Sequence, residues 1–331
     1  MSVITGAEKQ IVFLTPIQQT ATVNTTATNI VLYFSFTEDI AEQVVTKYAD
    51  VTGVTADSVL DKKLTAHFAQ GNKTTVIMGI DIGTSGDTRA EALAKVTQDW
   101  FCLVSDEQDV INIPGISEYV AALNKMYVVT PAIATTAAQI AAMMAEVTEQ
   151  NTCVVASRNN ASEDARTAGF YIDKTIGVYM WANNVINGMI DGGWSGAEQA
   201  TLTTAKVSFP AKVKGQIVLA NGITANGDPA DYVHCVLSLK ARLEEDITGY
   251  MIRTPKPAFA DLSELKSTIR TRTDQYEKNK ALIEDTTVIT TPAIDEIPAN
   301  EILSGTLTGV KIEVYYQYGY RTLSADLYFL V

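Results

Sequence analysis

Thr75-Val76-Ile77-Met78-Gly79-Ile80 is the stretch on which the reading of the fold turns. It is a short apolar run and reads as a buried strand. A helix is expected before it over residues 58–69, closed by Gln70-Gly71-Asn72, where Gly71 suits a left-handed C-terminal turn. After it, Asp87-Thr88 is read as the cap of a helix running to about 98. The rhythm then repeats, with a strand over 100–104, a helix over 116–125 and a strand over 126–130 stopped by Pro131. A helix over 135–149 carries Ile140, Met143, Met144 and Val147 on one side, and a strand follows over 152–156. Short apolar strands alternating with amphipathic helices predict an α/β fold: a parallel or mixed sheet with covering helices.

Working outward, residues 30–34 read as one more buried strand and 39–48 as a helix. The segment before Thr28 is a polar arm rich in Thr, Gln and Asn. Its one apolar run, Ile11-Val12-Phe13-Leu14, reads as a strand closed by Pro16. On the other side, a long helical stretch is expected over 162–190, broken near Gly177 and ended by Gly192-Gly193-Trp194-Ser195-Gly196. A domain boundary is placed there. The organisation expected is an arm over 1–28, an α/β domain over 29–195, a smaller α+β domain over 196–315 and a β-arm over 316–331. In the second domain, 216–219 is a strand and Asn221-Gly222 a turn. Asp228-Pro229 opens a helix with the apolar stripe Val233, Val236, Leu237, Leu243, Ile247 and Met251. Pro255 and Pro257 break the chain, and Asp261 with Glu264 resembles a capping box for a helix over 262–283.

The last residues alternate with period two. Val310, Ile312, Val314, Tyr316 and Tyr318 interleave with Lys311, Glu313, Tyr315 and Gln317. After Gly319-Tyr320-Arg321, Leu323, Ala325, Leu327, Phe329 and Val331 interleave with Thr322, Ser324, Asp326 and Tyr328. A strand that apolar has to pair with a sheet or become an aggregation edge. Its partner is expected in this chain or in a neighbour, and a neighbour would make the protein a building block.

Composition bounds the function classes. The chain has 331 residues, 47% hydrophobic and 19% charged, enough apolar mass for a sizeable core. A net charge of −13 argues against broad binding to nucleic acid or anionic membranes. No apolar run approaches the ~20 residues of a membrane span. The stretch Met1 to Gly6 lacks the basic and apolar regions of a signal peptide, so a cytosolic origin is expected. Cys102, Cys153 and Cys235 each sit in apolar settings and read as buried free thiols. With only His67 and His234, no transition-metal site can be composed from the usual spacings. His234 and Cys235 are adjacent, and adjacent helix residues point about 100° apart, a poor catalytic pair.

The sharpest enzyme-like signal is Gly79-Ile80-Asp81-Ile82-Gly83-Thr84-Ser85-Gly86, which resembles the phosphate loop of sugar kinases and actin-like ATPases. In that superfamily a β-hairpin follows, whereas here a helix cap comes at once, and about seventy residues precede a loop that belongs on the first strand. A strand-to-helix turn is the better reading. Gly193-Trp194-Ser195-Gly196-Ala197 lacks the final glycine of a nucleophile elbow. The loop Gly222 to Asp228 has too few carboxylates for calcium. The helix expected over 262–283 carries Lys266, Arg270, Arg272, Lys278 and Lys280 against Glu264, Asp274 and Glu277, a locally basic face in an acidic chain.

Four stretches, in order, carry a resemblance to a known family. The first runs from Asp57-Ser58-Val59-Leu60 through Ala66-His67-Phe68-Ala69-Gln70-Gly71 to Val76-Ile77-Met78-Gly79-Ile80. The second is the Gly-rich turn from Val218 to Asp228 before a long helix. The third is the step Lys256-Pro257 into the next helix, and the fourth is the pair of closing strands. Together they resemble the contractile tail sheath proteins of phages and related injection particles, notably the compact sheath-like family of myophages. The chain is short for a sheath, so outer decorating domains are expected to be absent. No Trp stands at the family's usual acidic-Trp position after the Gly-rich turn.

The resemblance implies a subunit of the virion tail, assembled in the host cytoplasm into stacked hexameric rings and a helical polymer around a tail tube. It implies contraction by rigid-body rearrangement to drive injection. The partners implied are the chain itself, the tail tube protein, and baseplate and tail terminator proteins, with neither nucleic acid nor a membrane anchor. Arms at both ends would add strands to neighbours, with Leu323, Leu327 and Phe329 in the subunit interface. Lys266, Arg270 and Lys278 are the candidates for facing the tube. No catalytic, cofactor or metal residue is expected. The rival readings are an ATPase using Asp81, Gly83, Thr84 and Ser85, and another self-assembling tube or capsid protein.

Overall fold

The computed structural model describes residues 9–12, 28–253, 262–300, 307 and 309–317. Its centre is a six-stranded sheet. The strands are β2 (Val31–Ser35), β3 (Ile40–Val45), β4 (Thr75–Gly79), β5 (Cys102–Ser105), β6 (Met126–Val129) and β7 (Thr152–Val154). Their spatial order is β3-β4-β2-β5-β6-β7. All neighbours run parallel except β3, which is antiparallel to β4. This is the mixed α/β architecture expected, with the crossovers that parallel strands require.

The apolar strands are buried on both sides, so alternate residues feed two cores. Leu32, Phe34, Val76, Leu103, Tyr127 and Val129 face one side. There they meet α3 (Arg89–Ala94), α4 (Ile113–Ala122), α5 (Ala137–Met144) and α7 (Gly196–Thr204) through Leu93, Ile116, Ile140 and Leu202. Val31, Tyr33, Ile77, Val104, Met126 and Val128 face the other side. They meet Leu60 and Leu64 of α1 (Val59–Phe68), Ala165 and Ala168 of α6 (Glu163–Tyr171), and Val233 and Leu237 of α8 (Ala230–Arg253). The capping chemistry is local. Thr88, Thr136 and Ser195 each close a capping box at the start of α3, α5 and α7.

Two expectations fail here. Residues 39–48 form strand β3, not a helix. Ile40, Val44 and Val45 are β-branched, and β3 finds hydrogen-bonding partners along β4, from Ile40 opposite Gly79 to Val45 opposite Thr75. The long helix expected over 162–190 stops at Tyr171. Residues 173–194 instead form an irregular strap. Its asparagines supply bonds that a helix would have made along the backbone: Asn184 donates to Met180 and Ala182 carbonyls, and Asn187 to that of Ala69.

The boundary expected at 195/196 falls at the start of α7, and the apolar core runs across it. The helix α8 packs against α9 (Ser263–Lys278), with Ser238 Oγ 2.8 Å from Tyr276 Oη and Arg272 bidentate on Asp246 at 2.6 and 2.8 Å. An antiparallel hairpin, β8 (Phe209–Val213) and β9 (Gln216–Ala220), continues the sheet where Val155 bridges Ser208. The sequence pattern predicts only β9. Pro210 and the lysines around the turn hide β8 in a pattern search. Asp261, expected to cap α9, lies outside the described residues.

Candidate assembly surfaces

The second sheet draws on segments three hundred residues apart. Strand β11 (Lys311–Tyr315) lies between β1 (Lys9–Val12) and β10 (Val288–Thr290), antiparallel to both. The period-two pattern holds: Ile312, Val314 and Tyr316 are buried, while Lys311, Glu313 and Tyr315 are half-buried and form the other face. Tyr316 locks this sheet to α8. Its hydroxyl donates to Asp231 Oδ2 at 2.7 Å, and its ring lies 5.1 Å from that of Tyr232. Residue 12 thus pairs with residue 312 of the same chain. Among the described residues the outer edge of β10 carries no strand, and Val288 on it is about half exposed. Leu323, Leu327 and Phe329 lie outside the described residues.

Helix α9 turns Leu265, Ile269, Thr273 and Tyr276 inward, the spacing of one helical face. Lys266 and Lys278 are exposed. Arg270 is held inside the chain: Nε is 2.6 Å from Asp274, Nη2 is 3.4 Å from Glu277, and Nη1 donates to the Thr287 carbonyl. The outward face therefore presents lysines, and Arg270 ties α9 to the segment leading into β10.

The Asp81 loop, which contains the single helical turn α2 (Ile82–Ser85), is closed on itself. Asp81 N donates to Asp39 Oδ1, Gly83 N to Asp81 Oδ1, and Thr84 and Ser85 N to the Asp81 carbonyl. Ile82 N donates to the Phe36 carbonyl, Gly86 N to that of Ile82 and Asp87 N to Ser85 Oγ. Every amide from 81 to 87 has an internal acceptor, so none is left to cradle a phosphate. Ser195 caps α7 and Trp194 Nε1 donates to the Ala156 carbonyl, which makes that glycine-rich stretch a structural turn. His234 is buried against the rings of Phe101 and Trp181, and burial pulls its imidazole down to about 4. Burial pushes the neighbouring Cys235 thiol up, so the pair is poorly suited to thiolate chemistry. Among the described residues no three His, Cys, Asp or Glu side chains converge to hold a metal ion, and no helix is long and apolar enough to cross a membrane.

One charged cluster escaped the sequence reading. Lys63 of α1 and Asp164 of α6 pair at 2.5 Å, both fully buried. Lys63 also donates to the Ser105 carbonyl at 2.7 Å, and Asp164 accepts from Thr130 N at 2.9 Å. The pair therefore joins two helices to the ends of β5 and β6. Its only local signal is that Lys63 falls among Leu60, Leu64 and His67 on the inward side of α1.

No protein-family model matches this sequence, and no curated protein matches it. A solved structure does: a sheath tail protein from Desulfitobacterium hafniense superposes with a TM-score of 0.54. The match covers 93% of this chain and 100% of that one, at 8% sequence identity. The two share a fold across nearly their whole length.

Proposed function

We propose that this protein is a structural subunit of a contractile tail sheath, polymerising as stacked hexameric rings around a tail tube. The observation that carries this reading is the shared fold with a sheath tail protein over 93% of the chain. The sheet of β1, β11 and β10 supports it. Strands from segments 9–12 and 311–315 meet beside β10, whose outer edge carries no strand among the described residues, an arrangement from which strands exchange between copies. In this reading Leu323, Leu327 and Phe329 seat on a neighbouring subunit, and the exchanged strands hold the lattice together while the domains rotate as rigid bodies. Tube, baseplate and terminator proteins are the remaining partners.

Negative-stain electron microscopy of the purified protein tests the reading. Tubes or six-membered rings are expected. Closed shells would favour a capsid-type protein instead. Deleting residues 320–331 should leave a folded monomer by circular dichroism and size-exclusion mass, because Ile312, Val314 and Tyr316 remain to close the core. A misfolded truncation, or one that still polymerises, would remove the arm exchange.

The tube-facing role is assigned to Lys266, Arg270 and Lys278, held to the tube by exposed ion pairs that are weak singly and reversible. Because Arg270 is engaged within the chain, the informative variant is Lys266→Glu with Lys278→Glu. It should fold and polymerise but fail to grow on tubes in co-assembly. Normal tube-bound growth would place the tube contact elsewhere.

A further inference from the structure

Residues 173–194 run between α6 and α7 with no regular structure, and α6 grips one short part of that strap from below. Glu163, in the first turn of α6, is fully buried. Its Oε1 accepts a long bond from Ile190 N at 3.5 Å. Its Oε2 has no hydrogen-bond partner, and Arg166 Nε stands 3.6 Å away, too far to donate. Arg166 in turn lies against Gly188. A Cβ there would stand 2.7 Å from Nη1, and the residue has a φ of +71°. Two polar side chains of one helix therefore lie against residues 188–190, Glu163 bonded to Ile190 N and Arg166 packed against Gly188. Between them they leave a carboxylate oxygen and a guanidinium nitrogen without partners.

We propose that residues 186–192 are a releasable strap, closed over Glu163 while that side chain is protonated and loosened when it ionises. The protonated acid needs little where it sits. The carboxylate needs two or three donors and finds one long amide bond, one distant cation and the nearby Asn160 side chain. Lifting residues 188–190 would let water reach it. The surrounding charges do not compensate. Asp164 on the same helix is committed to Lys63 of α1 and adds negative charge beside Glu163. Asp191, on the strap itself, turns Oδ1 to Gly193 N. Arg166 is the one cation facing the group from α6. Burial accordingly raises the Glu163 carboxyl to about 7, against Arg166, the Ile190 amide and Asn160, which pull it down.

The strap covers apolar side chains when closed. Ile186 and Met189 are buried beneath it, whereas Val185 and Ile190 already face solvent. Loosening would add the first two to the exposed pair. The proposal concerns this strap alone and does not depend on the sheath reading.

The sign follows from linkage. A carboxyl raised from 4.5 to about 7 in the closed state favours closure below pH 4.5 and loses that advantage as pH rises to 7. The opening equilibrium should grow about tenfold between pH 6 and 8 and then level off. Amide hydrogen exchange of residues 186–192, corrected for intrinsic rates and referred to the β2 amides, reads this directly. The wild-type chain should lose about tenfold protection in that segment between pH 6 and 8. Glu163→Gln should fold and show the same protection at both. A flat wild-type profile, or an equal loss in Glu163→Gln, overturns the proposal. The wild-type result stands alone if the variant does not fold.

Discussion

Asp164→Asn is expected to destabilise the fold by about 3–5 kcal/mol, because it leaves the Lys63 ammonium buried without its counter-charge. Lys63→Met should cost a similar amount by stranding the carboxylate. The double variant removes both charges, while the single asparagine oxygen can still accept one of the two amides, Thr130 N or Ala165 N, that now donate to separate oxygens of Asp164. It should therefore lie closer to wild type than either single change, with a coupling of about 2–3 kcal/mol. Urea denaturation of the four proteins at constant pH measures the cycle. Additive losses would mean that the two charges do not compensate each other in the interior. The pair sits where α1 and α6 meet the ends of β5 and β6, so its loss should also loosen the covering of that sheet face.

Gly222→Ala should be comparably damaging, about 3 kcal/mol or more, for a different reason. Gly222 has a φ of +56°, and a Cβ there would stand 2.3 Å from the Trp181 carbonyl oxygen. A non-glycine residue in this left-handed region costs about 1–2 kcal/mol. The clash adds more because Trp181 cannot retreat. Its ring stacks on Tyr171 at 4.9 Å, and its amide donates to Asp231. Gly222→Asn should remain severe, since asparagine eases the backbone term but leaves the contact. Gly215→Asn is the control. Gly215 has a φ of +87° at the hairpin turn with nothing within 4 Å of a Cβ, so the change should be nearly neutral. Thermal unfolding of the three variants separates strain from contact. A mild Gly222→Asn beside a severe Gly222→Ala would attribute the cost to backbone strain alone.

The legible part of this chain is the part set by neighbours in sequence. Apolar runs such as 75–79 and 126–129 announce strands buried on both faces. Thr88, Thr136 and Ser195 stand before helices with the Glu or Gln that completes each cap, although only the first is singled out by the sequence reading. The alternation of Ile312, Val314 and Tyr316 with its polar partners survives intact in β11. The motif at Asp81 reads as a turn from its flanks alone, and the amide bonding supplies the reason.

What stays hidden depends on groups distant in sequence. Residues 40–45 have no strong pattern of their own and become a strand because the edge of β4 offers hydrogen bonds. The helix expected beyond Tyr171 gives way to a strap that Asn187 ties to the distant Ala69 carbonyl, while Gln70 donates back to the Asn187 carbonyl. Arg270 looks like a free cation until Asp274, Glu277 and the Thr287 carbonyl surround it. Lys63 and Asp164, a hundred residues apart, carry no mark of each other, and neither do Glu163 and Ile190. Burial preference is a property of each side chain and shows as local periodicity. Charge compensation and backbone pairing are properties of two segments at once, and they exist only after the chain has brought those segments together.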